Sequence, residues 1–230
     1  MQPSLAATLY LASTWVLPML IAITFHEASH GFVAHRLGDD TAWRMGRVTF
    51  NPLKHIDLYG TILLPALLLL LRSPFLFGYA KPVPVNFRAL RNPHRDMVWV
   101  AAAGPGMNLV LAIVAGWAHH FVLPAGGANW VAANLENAIF INVLLAVFNM
   151  IPLPPLDGGR VALGLLPNGL ARPLARLERY GMLILLALIF ALPYVGRNIG
   201  VDLNVLSWLL TWPVEYLLHL VGVITGTYLQ

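Results

Sequence analysis

Six stretches of the chain are nearly free of polar side chains, at roughly residues 5–35, 58–71, 97–123, 130–151, 180–195 and 204–224. No charged residue occurs between Ser4 and Phe25. Several of these stretches approach the roughly 20 residues that a helix needs to cross the hydrocarbon core of a bilayer. A crossing segment must be helical, because no water is present there to satisfy its backbone. The pattern predicts an all-α polytopic membrane protein with about five to six transmembrane helices. The N-terminus lacks the basic region of a signal peptide, so residues 1–25 are read as structure.

The lysines and arginines set the expected topology. Arg36, Arg44, Arg47 and Lys54 follow the first stretch, and Arg72, Lys81, Arg88, Arg91 and Arg95 follow the second. Arg160, Arg172, Arg176 and Arg179 follow the fourth, and Arg197 lies between the fifth and sixth. Cytoplasmic loops carry the excess of such residues. A full crossing by 58–71 would strand a basic loop outside. That short stretch is therefore read as re-entrant, or as a very short helix paired with "FLFGYA". Residues 36–95 and 155–179 then lie inside with the C-terminus, and 120–130 and 194–203 lie outside with the N-terminus. Only Arg197 of the fourteen basic residues falls on the outer side.

The polar stretch after the first span reads differently. "TAWRMGRVTF" has short strand-like runs between turn residues. "AKPVPVNF" is extended, because proline fixes its own φ and pushes its predecessor out of the α region. The expectation is a cytoplasmic-side re-entrant and β-containing segment around 38–92. The sequence offers neither an internal repeat nor a soluble module. Residues 1–230 are treated as one intramembrane domain, with a core at about 5–165 and extra C-terminal helices at about 174–228.

Composition agrees with a membrane protein: 58% of residues are hydrophobic and 10% charged, where a soluble domain is nearer a quarter charged. The net charge of +4 is a loop bias. It does not cluster on a module that would bind nucleic acid. The chain has no cysteine, which excludes disulfides and thiolate metal ligands.

Into this apolar background falls "TFHEASHG". His26 and His30 are four apart, so a helix stacks both imidazoles on one face, able to hold one ion. Glu27, one step round, addresses a metal-bound water rather than the metal. This H-E-x-x-H arrangement supplies two zinc ligands and a general base. A catalytic zinc site also needs a third protein ligand and an open position. His119 and His120 are expected across the membrane from His26. His35 is too far along the helix, and His55 and His94 sit in basic loops; all are read as solvated or interfacial. Asp39, Asp40 and Asp57 belong to the loop region. Asp157 differs: in "FNMIPLPPLDGGR" prolines end the fourth span on the inner side, and Gly158–Gly159 permit a turn that aims Asp157 back into the bundle.

"HEASH", "GRVTFNPLKHIDLYGTILLP", "GYAKPVPVNF", "AAAGPGMN" and "FNMIPLPPLDGG" together resemble the site-2 protease family, zinc metalloproteases that cut substrates within the membrane. The likeness runs from about residue 20 to 165 and is closest to small bacterial members without PDZ or CBS domains. It implies His26, His30 and Asp157 as ligands of one Zn2+ and Glu27 as base. It implies a transmembrane protein or peptide as substrate, within the lipid bilayer and on the cytoplasmic side. Asn149 corresponds to an asparagine that contacts substrate or the oxyanion, though interhelical hydrogen bonding explains it equally. Asn108, in "GPGMN", is taken with it as a substrate contact, while Gly104 and Pro105 suit close helix packing. Asn142 reads as interhelical glue. "AKPVPVN" corresponds to a segment near the substrate path and is equally an ordinary connection.

The ligand set suits zinc but admits other divalent ions. A divalent-cation transporter and a non-catalytic membrane scaffold are the competing functions. The first lacks an inverted repeat, and the second needs neither base nor ligands. Outside the resemblance, Glu215 and His219 lie four apart among Trp208, Trp212 and Tyr216. The aromatic residues suggest an interfacial position; a buried relay is the other reading.

Overall fold

The computed structural model describes residues 5–70, 80–122 and 129–227. In chain order its α-helices are α1 (Leu5–Arg36), the single turn α2 (Thr41–Arg44), α3 (Leu64–Leu70), α4 (Pro93–Val122), α5 (Asn129–Asn149), α6 (Asp157–Leu165), α7 (Asn168–Leu186), α8 (Leu192–Ile199) and α9 (Val205–Thr225). Among the described residues, five stretches are long and apolar enough to cross a membrane: Leu9–Arg36, Pro93–Val122, Trp130–Asn149, Gly169–Ile199 and Val205–Thr225. The fourth joins α7 to α8 through a π-helical stretch at Ala187–Ala191. The chain is a multi-pass membrane protein.

Local chemistry places the helix ends. Pro93 opens α4, where a missing N–H costs nothing, and the Asp96 carboxylate accepts the Asn92 N–H at 2.8 Å. Pro18 and Pro105 lie inside α1 and α4; membrane helices tolerate this because neighbours satisfy the freed carbonyls. α4 is the central element and packs against α1, α5, α6 and α9. Its contact face is small: Ala112 and Ala115 meet Ile139 and Val143 of α5 and Val214 and Val221 of α9. A Cβ on Gly116 would come within 2.8 Å of Thr225. Small residues let backbones approach where apolar burial gives no net drive. Polar groups tie the rest: Asn137 of α5 donates to Thr14 O of α1 at 3.0 Å.

The segment around 38–92 departs from expectation. No strand occurs among the described residues. Thr41–Arg44 is a helical turn, and the residues after it bend instead of extending. Side chains supply the order that a strand ladder would have given. The Arg47 guanidinium donates to Lys54 O at 2.6 Å, Lys81 O at 2.8 Å and Pro82 O at 3.3 Å. The buried Asp39 accepts the Thr41 N–H at 2.9 Å and the Asn86 N–H at 2.6 Å. Residues 80–86 have no regular secondary structure, and the Lys81 N–H donates to His55 O at 2.9 Å. The second apolar stretch is a π-helical turn, Leu58–Leu63, running into α3. Asp57 caps it, accepting the N–H groups of Tyr59 and Gly60. Residues 71–79, with all of "FLFGYA" but Ala80, lie outside the described residues, and 58–70 alone give the re-entrant reading no support. The stretch 155–179, expected on the inner side, holds α6 and the first half of α7.

Candidate metal centre

His26 and His30 are both buried and turn their rings from α1 toward α4. His30 Nδ1 lies 2.7 Å from the Val100 carbonyl. A carbonyl only accepts, so Nδ1 carries the proton and Nε2 keeps a lone pair. His26 Nδ1 lies 2.6 Å from Asn108 Oδ1. The orientation of that amide is fixed, because Asn108 Nδ2 donates to Asn142 Oδ1 at 2.8 Å and to Ala22 O at 3.3 Å, and Asn142 Nδ2 donates in turn to Ala138 O. Oδ1 is therefore the acceptor, and His26 Nε2 also keeps its lone pair.

The third donor comes from the first turn of α6. Asp157 Oδ2 lies 3.1 Å from His26 Nε2 and 3.3 Å from His30 Nε2, and the two Nε2 atoms are 3.1 Å apart. Asp157 Oδ2 is buried with no hydrogen-bond donor. Three atoms able to donate a lone pair thus converge on one point, an arrangement that a shared cation satisfies. Tetrahedral zinc, with bonds of about 2.0–2.2 Å, spaces its ligand atoms about 3.3 Å apart. The donor set and spacing fit zinc, with three protein ligands and one position open.

Glycines make room for this. A Cβ on Gly104 would sit 2.6 Å from His26 Nε2, and closer still to His30 Nε2. A Cβ on Gly158 would fall 2.6 Å from Ile151 O, and one on Gly159 would fall 2.6 Å from Leu153 C. The Met150–Leu156 loop folds tightly over the start of α6, and only glycine after Asp157 permits it.

The centre opens on a cavity of about 360 Å³. Glu27 lines it, half-buried, with Oε2 accepting the Val83 N–H at 2.7 Å. Asn149 lines it at the end of α5, donating to Leu145 O at 3.0 Å. Asn108 does not: it is wholly buried behind His26 with its amide committed. Expected as a substrate contact, it meets His26, Ala22 and Asn142 instead of the cavity. Arg160 lines the cavity and was not singled out in the sequence. It stands three residues after Asp157, a spacing that puts both on one helix face. Its guanidinium covers the Phe87 ring at 4.7 Å.

Two other histidines differ from expectation. His119 is buried, with Nε2 3.0 Å from Glu136 Oε1. His55 is buried and bonds Thr49 O. Neither approaches the donor triad. A bundle of membrane-length helices closing two imidazoles and a carboxylate around one point defines a membrane protein with a candidate metal centre.

Comparison with known proteins gives the class. The sequence profile of peptidase family M50 matches residues 14–126 and 125–192. A Bacillus subtilis protein named "Putative zinc metalloprotease YwhC" is 39% identical over 180 residues, covering 75% of this chain and 78% of its own. "Putative zinc metalloprotease Rip2" of Mycolicibacterium smegmatis is 32% identical over 180 residues, covering 77% and 66%. Its Mycobacterium tuberculosis namesake is 29% identical over 183 residues, covering 79% and 68%. No solved structure gives a significant match. The chain belongs to peptidase family M50, the site-2 protease family.

Proposed function

We infer that this chain hydrolyses peptide bonds of transmembrane substrates at the His26–His30–Asp157 centre, with Glu27 as base. The chain is an intramembrane zinc metalloprotease. One observation carries the assignment of residues: three potential ligand atoms within 3.3 Å of one another, with a carboxylate beside them on the same cavity.

When bound, zinc supplies Lewis acidity, which polarises a carbonyl and makes water acidic near neutrality. His26, His30 and Asp157 hold it. Asn108 and the Val100 carbonyl fix the tautomers of the two histidines, as outer partners of metal-binding imidazoles do. Glu27 takes the proton of the attacking water at its carboxylate and returns it to the leaving amine. Asn149 has a second amide hydrogen to donate to the developing oxyanion. The substrate helix unwinds before attack, because its amides are otherwise closed in their own hydrogen bonds. The backbone at Val83 and Val85 borders the cavity and is placed to receive such a segment.

Loop charge supports a cytoplasmic-side centre, since every Lys and Arg except Arg197 falls on that side in the expected topology. Residues 1–230 act as one catalytic unit. A transporter would need no base beside its ligands, and a scaffold would need neither. The test is cleavage of a transmembrane peptide by reconstituted Glu27→Gln protein. The rate is expected to fall by on the order of 10²–10⁴ or more, with bound zinc retained. Undiminished cleavage would remove Glu27 from the mechanism.

A further inference from the structure

The chain has ten Asp and Glu residues. Among the described residues, eight of them lie against a hydrogen-bond donor or a basic side chain, and Asp157 faces His26 and His30 at the metal centre. Glu215 is the exception. It lies midway between Val205 and Thr225, with about 15 Å of helix on either side. That length is about what crosses the hydrocarbon core, so Glu215 lies far from both ends of the candidate span. His219 follows one turn later, also exposed and without an ion pair. Val214, Val221 and Thr225 bury a different side of α9 against the bundle. An acid and an imidazole therefore face outward together, where unpartnered ionisable groups are expensive.

We propose that this face of α9 pairs with a second copy of the chain, Glu215 of each copy meeting His219 of the other. The pattern is self-complementary. All copies insert in one orientation, so a second α9 presents the same two groups at the same depths. A two-fold axis along the membrane normal then satisfies both pairs at once. The offset of one turn resembles that of flanking charge pairs in parallel coiled helices. Beside the pair, Trp212 and Tyr216 stack with centroids 5.6 Å apart, giving the face a flat apolar flank. The metal centre lies on α1, α4 and α6, so this proposal stands apart from the catalytic reading.

The absence of cysteine makes the test clean. Full-length Val223→Cys places one thiol a turn beyond His219 on the same face, and Leu17→Cys places one on an exposed position of α1. Oxidation in liposomes at low protein density is expected to give a disulfide dimer for Val223→Cys and none for Leu17→Cys. Adding Glu215→His or His219→Glu should lower the dimer about ten-fold, the effect of losing two interhelical polar contacts. Combining both exchanges should restore it. The apolar double variant Glu215→Leu/His219→Leu should fold and stay monomeric, and bound zinc reports folding in every case. A dimer indifferent to these changes, a combined exchange no better than either single one, or a Val223→Cys adduct in native membranes with another protein in place of the dimer would overturn the proposal.

Discussion

Asn108 spends both ends of its amide inside the bundle, accepting from His26 and donating to Asn142 and Ala22. It acts on the centre by holding one imidazole in the tautomer that leaves Nε2 free. Asn108→Leu is expected to weaken zinc about 10–100-fold, read by chelator competition, and Asn108→Asp, which keeps an acceptor, should recover most of that. Gly104→Ala should be harsher: its Cβ would occupy the space of both imidazoles, so purified protein should carry little zinc while its helical content stays unchanged. The convergence of His26, His30 and Asp157 was legible in the sequence because its signals are local. Four residues set the two histidines on one face, and a Pro-rich stop followed by two glycines turned Asp157 inward. Asn108 was legible as a motif member but not in its duty. His26 and Asn108 meet across 82 positions, and no spacing rule gives the register between two helices. The Val100 carbonyl has no side-chain signature at all.

At the level of elements, apolar length announced the spans and polar alternation misled. Local alternation in "TAWRMGRVTF" resembles a strand, yet Arg47 within it reaches three carbonyls on two other segments. One buried guanidinium fixes the geometry there, and a strand would have pointed it elsewhere. Arg47→Met should leave those carbonyls without a donor. Each such group costs about 1–3 kcal/mol when buried, so amide exchange at Val83 and Val85 should quicken measurably. Bound zinc should remain, because the donor triad does not touch this segment. A variant that lost zinc in step with this loosening would contradict the separation of scaffold and centre.

Across the whole molecule, the donor triad joins the first long helix to the turn after α5, with α4 packed between them. A ligand held only by the folded arrangement stabilises it by mass action. Free zinc at 100 times its dissociation constant should add about 2.7 kcal/mol, seen as a rise in unfolding temperature that chelator abolishes. Loss of activity on chelation and its return with zinc should follow the same titration.

Distance along the chain gives that junction a timetable. Residues 26 and 157 are 131 positions apart (157 − 26 = 131). At roughly 5–20 residues per second, a ribosome needs on the order of ten seconds to travel from the first histidine to the aspartate. Throughout that interval the newborn chain has two of the three proposed ligands and lacks Asp157. It threads into the bilayer unarmed, and its cutting power arrives only after the third span to be completed, α5, has brought its far end home.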